Sequence, residues 1–117
     1  MAVTDRHFAN LKEHNIEELI AGYADDAIIL TNLCERPLEG KEDIRRYCGG
    51  LIQRAGEKID ALTDPAAKIT VKEAVAELSC IGFQHRAKKQ CGILTQRIRD
   101  GKIIFESLTF QEAEPVI

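Results

Sequence analysis

Tyr23-Ala24-Asp25-Asp26-Ala27-Ile28-Ile29-Leu30 is the stretch whose reading decides the fold. Upstream of it, Ile16, Leu19, Ile20 and Tyr23 recur at i, i+3, i+4 and i+7, the spacing of one buried helix face. Its second half, Ala27 to Leu30, is an unbroken apolar run, most simply a buried strand. Asp25-Asp26 separates the two. Short acidic side chains hydrogen-bond their own backbone and suit a helix-to-strand corner, so the pair reads as structural rather than catalytic.

Working outward toward the N-terminus, Val3, His7, Phe8 and Leu11 share another helical face, with Thr4 and Asp5 as N-cap types. His14-Asn15 breaks the pattern. Toward the C-terminus, Pro37 and Gly40 mark a loop. A third helix is predicted from about Lys41. Glu42 and Asp43 in its first turn favour the helix dipole, and Ile44, Tyr47, Cys48, Leu51 and Ala55 form its apolar stripe. Gly49-Gly50 inside it costs about 1 kcal/mol per residue relative to alanine. That predicts a bend or a close approach of another backbone.

The periodicity changes after Gly56. Short β-rich segments follow: Ile59 to Leu62 with a turn at Thr63-Asp64-Pro65, then Ile69 to Val71, Ala74 to Phe83 and Cys91 to Ile98. His85 to Lys89 reads as a turn. Asp100-Gly101 is a strong hairpin signal, and Ile103 to Phe110 is the closing strand. Helices followed by strands predict an α+β domain with an antiparallel sheet. A chain of 117 residues suits one domain, spanning 1–117.

Composition narrows the partners. The net charge is −3 and the isoelectric point about 5.6, which argues against nucleic acid. No apolar stretch approaches the ~20 residues of a membrane span, and the N-terminus has no apolar signal core, so a cytoplasmic protein is expected. Cys34, Cys48, Cys80 and Cys91 show no zinc-site spacing. They are expected as free, metal-free thiols, with Cys80 and Cys91 on neighbouring strands.

Two short helices, YADDAIIL from Tyr23, Pro37-Leu38-Glu39-Gly40-Lys41-Glu42-Asp43-Ile44 and the final Arg97-Ile98-Arg99-Asp100-Gly101-Lys102-Ile103-Ile104-Phe105-Glu106 together resemble the SnoaL-like, nuclear transport factor 2-like superfamily. The resemblance spans nearly the whole chain. It implies a curved antiparallel sheet wrapped around N-terminal helices to form a cone, a cystatin-like roll. A ligand pocket at the open end and a homodimer through the outer sheet face are implied as well. The fold hosts many chemistries, so it does not by itself name one.

The family's catalytic sets are incomplete here. Matching the ketosteroid isomerase pattern puts Thr31 at the carboxylate base and His7 and Thr95 at the oxyanion-binding positions. Threonine cannot replace a carboxylate base near neutral pH. The epoxide hydrolase pattern puts Leu108 at an aspartate, with its other members near Leu78 to Cys80. The cyclase histidine position holds Gln96.

The last hairpin supplies candidates. With Asp100-Gly101 as a two-residue turn and regular pairing throughout, Thr95 faces Glu106, Ile93 faces Leu108, Cys91 faces Phe110 and Arg97 faces Ile104. Cys91, Ile93, Thr95, Arg97, Leu108 and Phe110 then line the pocket with Glu106, joined by Thr31 and Tyr47. Glu106 becomes the candidate general acid or base, paired diagonally with Arg97. His7 is the second catalytic candidate. Leu94, Ile98, Ile103 and Phe105 fall on the outer face and are expected to form the dimer contact. The function implied is a cofactor-free isomerase, cyclase or lyase acting on a small apolar molecule by acid–base chemistry. The alternative is a non-catalytic ligand-binding or dimerisation module.

Overall fold

The computed structural model describes residues 3–54, 67–75 and 77–113, with side chains omitted for 73–75. The short strand expected at Ile59 to Leu62, its turn and Ala55 lie outside the described residues. Helix α1 spans Val3–Lys12, α2 Ile16–Ala21 and α3 Lys41–Arg54. The strands are β1 (Tyr23–Thr31), β2 (Leu38–Glu39), β3 (Lys68–Val75), β4 (Leu78–His85), β5 (Gln90–Arg99) and β6 (Lys102–Gln111).

All three predicted helices form, with their apolar stripes inward. Thr4, His7, Phe8 and Leu11 of α1 are buried, as are Leu19 and Ile20 of α2 and Ile44, Tyr47, Cys48 and Leu51 of α3. Asn15 caps α2, its side chain accepting from the backbone N–H of Glu18. Thr4 lies inside α1 rather than at its cap, and its hydroxyl is used elsewhere.

Two readings of the opening stretch are corrected. The strand begins at Tyr23, so Asp25 and Asp26 stand on β1 and not at a corner. A register shift between Tyr23 and Ile28 absorbs them as an irregularity in the strand. Nor is Ala27 to Leu30 buried on both sides. Ala27 and Ile29 face the core, whereas Ile28 and Leu30 are 39% and 41% exposed.

The six strands make one curved sheet in the order β2-β1-β6-β5-β4-β3. Every pairing is antiparallel except β1 with β6, which is parallel. The sheet is therefore mixed, where an antiparallel one was expected. The inner face carries Ala27, Ile29, Ile81, Phe83, Leu94, Ile103 and Leu108 against the helices. Ala74 to Phe83, read as continuous, is interrupted at Glu77, whose φ is 67°. Cys80 is opposite Thr95 and Cys91 opposite Gln84, so these two thiols do not face each other.

The close backbone approach expected at the glycine pair in α3 is not found among the described residues. A β-carbon on Gly49 would touch only Ile16 Cδ1, at an ordinary 3.6 Å, and one on Gly50 would meet nothing within 4 Å. Among the described residues, no backbone closes on either glycine.

A candidate functional site around Glu106

The Asp100-Gly101 turn forms as predicted, with both residues at positive φ. Arg99 pairs with Lys102 and Ile98 with Ile103. A register shift then intervenes, because Arg97 pairs with Phe105, leaving Ile104 as an extra residue in β6. Beyond this bulge the pairing is displaced by one: Gln96 faces Glu106, Thr95 faces Ser107 and Leu94 faces Leu108. A one-residue slip moves a strand's side chains to the other face. Gln96 and Leu94 therefore share the inner face with Glu106, while Ile93, Thr95 and Arg97 stand outside.

This overturns the diagonal Glu106–Arg97 pair, since Arg97 is exposed on the outer surface and Glu106 is 1% exposed. It also removes Ile93, 62% exposed, from the inner wall together with Thr95. Cys91 lies on the Ile93 side of β5, its thiol 3.4 Å from the Ala113 carbonyl. Leu108 is buried inside, Phe110 is half-buried against the core, and Thr31 is half-buried at the end of β1. Leu94 and Ile103, expected at a dimer contact, are core residues at 2% and 0% exposure.

What surrounds Glu106 is a network of neutral donors. The Tyr23 hydroxyl donates to Glu106 Oε1 at 2.8 Å. The Gln96 side-chain amide donates to the same oxygen at 2.8 Å. Thr4 in turn donates its hydroxyl to Gln96 Oε1 at 3.1 Å, which fixes the orientation of the amide. His7 Nε2 lies 3.9 Å from Glu106 Oε1, beyond hydrogen-bond distance, and its ring meets Tyr23 edge-on with centroids 5.8 Å apart.

Four elements converge here for simple reasons. Thr4 and His7 are three residues apart on α1 and so share its inner face. Gln96 and Glu106 are cross-strand partners, and Tyr23 enters from the start of β1. Burial holds His7 below the usual histidine pKa, although the nearby Glu106 opposes this. Burial, with Glu106 adding to it, holds Tyr23 well above the usual phenol range. At neutral pH both are therefore uncharged. Burial, reinforced by Glu106, also pushes the Cys48 thiol to about 12, so it is not a nucleophile. The arrangement holds one carboxyl group with a phenol and an amide hydrogen-bonded to it and a neutral imidazole beside it, a set suited to proton transfer.

Tyr23, Gln96 and Thr4 are the members that sequence reading missed as site residues. A usable signal was present: Leu94-Gln96-Ile98 is an apolar alternation with one polar member, which marks a buried amide needing a partner.

Among the described residues, one cavity reaches this cluster, at His7, and others lie beside or away from it. One of about 120 Å³ touches His7 beside Arg6, Asn10 and Lys102. Another of about 160 Å³ touches Tyr47. A larger hollow of about 440 Å³ lies on the outer face, over the cross-strand row Thr70, Gly82, Ile93 and Thr109. It is remote from Glu106 by being on the other side of the sheet. Among the described residues no cluster of side chains is suited to a metal ion.

No protein-family model and no curated protein matches the sequence. Solved structures do match the architecture. A provisionally named ketosteroid isomerase from Kribbella flavida DSM 17836 superposes with a TM-score of 0.63 at 17% identity, covering 98% of this chain and 79% of its own. A provisionally named isomerase from Bacillus subtilis gives 0.68 at 17% identity, covering 93% and 84%. An NTF-2-like protein of unknown function from Burkholderia xenovorans LB400 gives 0.61 at 15% identity, covering 98% and 83%. The chain has the nuclear transport factor 2-like fold. In this NTF2-like chain the helices cover the inner face of the sheet, and Glu106 projects from the middle of that face. Among the described residues no helix is long and apolar enough to cross a membrane.

Proposed function

We propose that this NTF2-like protein is a cofactor-free isomerase, cyclase or lyase in which Glu106 moves a proton on a small apolar molecule. The observation that carries the reading is the buried Glu106 carboxyl group held by Tyr23 and Gln96. Carboxyl groups placed among apolar and neutral groups are frequent acid–base catalysts. Tyr23 would orient the carboxyl group, and neutral His7 would hold or pass a proton beside it. The test is deuterium uptake from D₂O into a panel of apolar unsaturated ketones, followed by NMR. Uptake with the native chain and none with a folded Glu106→Gln variant is the expected result. Equal uptake with both would remove Glu106 from the chemistry.

A second reading, a binding or dimerisation module, is favoured by one specific observation. Glu106, Gln96 and Tyr23 are each at most 1% exposed. Absence of uptake across the panel would select it. Either reading includes a homodimer through the outer sheet face, where Ile28, Leu30 and Ile93 expose apolar surface. Sedimentation showing only monomer at micromolar concentration would reject that contact.

A further inference from the structure

Arg46, Gly50 and Arg54 recur every four residues on α3 and so lie along one ridge of the helix. Glycine is the poorest helix former after proline, and nothing within 4 Å would obstruct a side chain at Gly50. Packing therefore does not demand it. The gap it leaves between two long basic side chains opens on a cavity of about 160 Å³, whose walls include Leu33, Leu51 and Tyr47.

The charge of this cavity is one-sided. Among the described residues, Arg46 and Arg54 are the only charged ones that line it, and neither makes an ion pair with another described residue. The neighbouring Asp43 is held by a two-pronged pair with Arg36, both contacts at 2.9 Å. Tyr47, 6% exposed, forms part of the cavity wall.

We propose that this cavity binds a small amphipathic acid, its carboxylate held by Arg46 and Arg54 and its apolar body against Leu33, Leu51 and Tyr47. Guanidinium groups match carboxylates in geometry and charge. An apolar cavity of about 150 Å³ accepts a benzene ring, so the apolar body is ring-sized. A bare inorganic anion would leave the leucine walls unused. An adjoining cavity of about 490 Å³ shares Cys34, Arg46 and Tyr47 and gives room for substituents.

The probe is benzoate, titrated in physiological salt and followed by amide NMR shifts, with benzamide as the uncharged counterpart. Benzamide binding at least tenfold weaker is expected. Arg46→Gln and Arg54→Gln should each weaken benzoate at least fivefold. Gly50→Leu should abolish binding while the melting temperature holds or rises, which separates a filled cavity from a misfolded chain. Equal affinity for benzoate and benzamide, or arginine variants that bind like the native chain, would overturn the site. The proposed function fails separately, by absent deuterium uptake in a protein that still binds benzoate.

Discussion

The Tyr23 hydroxyl stands 2.8 Å from Glu106 Oε1, tying the first residue of β1 to the middle of β6 across the parallel pairing of the sheet. Residues 83 positions apart thus meet at a carboxyl group that is almost wholly out of water. Removing one partner of a buried hydrogen bond leaves the other unsatisfied, at a cost of about 1–3 kcal/mol. Tyr23→Phe keeps the ring and removes the donor. It should cost that amount in urea unfolding, and an unchanged midpoint would show that the bond contributes nothing.

The bulge at Ile104 makes a second test. With Arg97 outside and Gln96 inside, Glu106 should couple to one and not the other. The double change Glu106→Gln, Arg97→Gln should be additive within about 0.5 kcal/mol, as for residues without shared contacts. Glu106→Leu with Gln96→Leu should deviate from additivity by about 1 kcal/mol or more, because each single change leaves a buried polar group without its partner. Coupling between Glu106 and Arg97 would reinstate the regular hairpin register.

His7 predicts a pH dependence. Its folded pKa lies below the ordinary value of 6.5 because burial disfavours the imidazolium. The unfolded chain then binds more protons in the window below 6.5, and stability falls as pH is lowered through it. Urea midpoints measured downward from pH 7.5 should decline in the native chain and stay flatter in His7→Phe. Asp43 cannot mimic this. Its pKa is held down to about 2 by Arg36, so its own loss occurs only as pH falls below the ordinary 3.8. A native profile that does not bend near pH 6 would contradict the neutral, buried histidine.

Two glycines should respond in opposite directions. A β-carbon on Gly92 would lie 2.3 Å from the Thr109 carbonyl oxygen and 2.4 Å from the Phe83 ring, both closer than atoms can approach. Gly92→Ala should destabilise by about 1–3 kcal/mol, the usual cost of overpacking. On Gly49 the same carbon meets Ile16 at van der Waals distance, so Gly49→Ala should stabilise α3 by up to about 1 kcal/mol. Thermal melts of the two variants decide both, and a shift of the same sign in each would refute the packing argument.

What the sequence determined by itself is local. The 3.6-residue periodicity of α1 and α3, the break at His14-Asn15 and the Asp100-Gly101 turn depend on residues a few positions apart, and each appears where its pattern places it. Their order along the chain was enough to expect this fold, and it also brought Glu106 and His7 forward as candidates. Tertiary structure decided which residues meet. A single extra residue at Ile104 reverses which face of β5 is inside, and nothing in the turn sequence reports it. It replaced Arg97 with Gln96 at the side of Glu106. The parallel docking of β1 on β6 then delivered the Tyr23 hydroxyl, which could be read from the sequence only as a buried group in need of a partner. Side-chain period fixes a face only while pairing stays regular. The choice of register belongs to the packed core, where burying Leu94, Ile103 and Leu108 together outweighs keeping the hairpin straight.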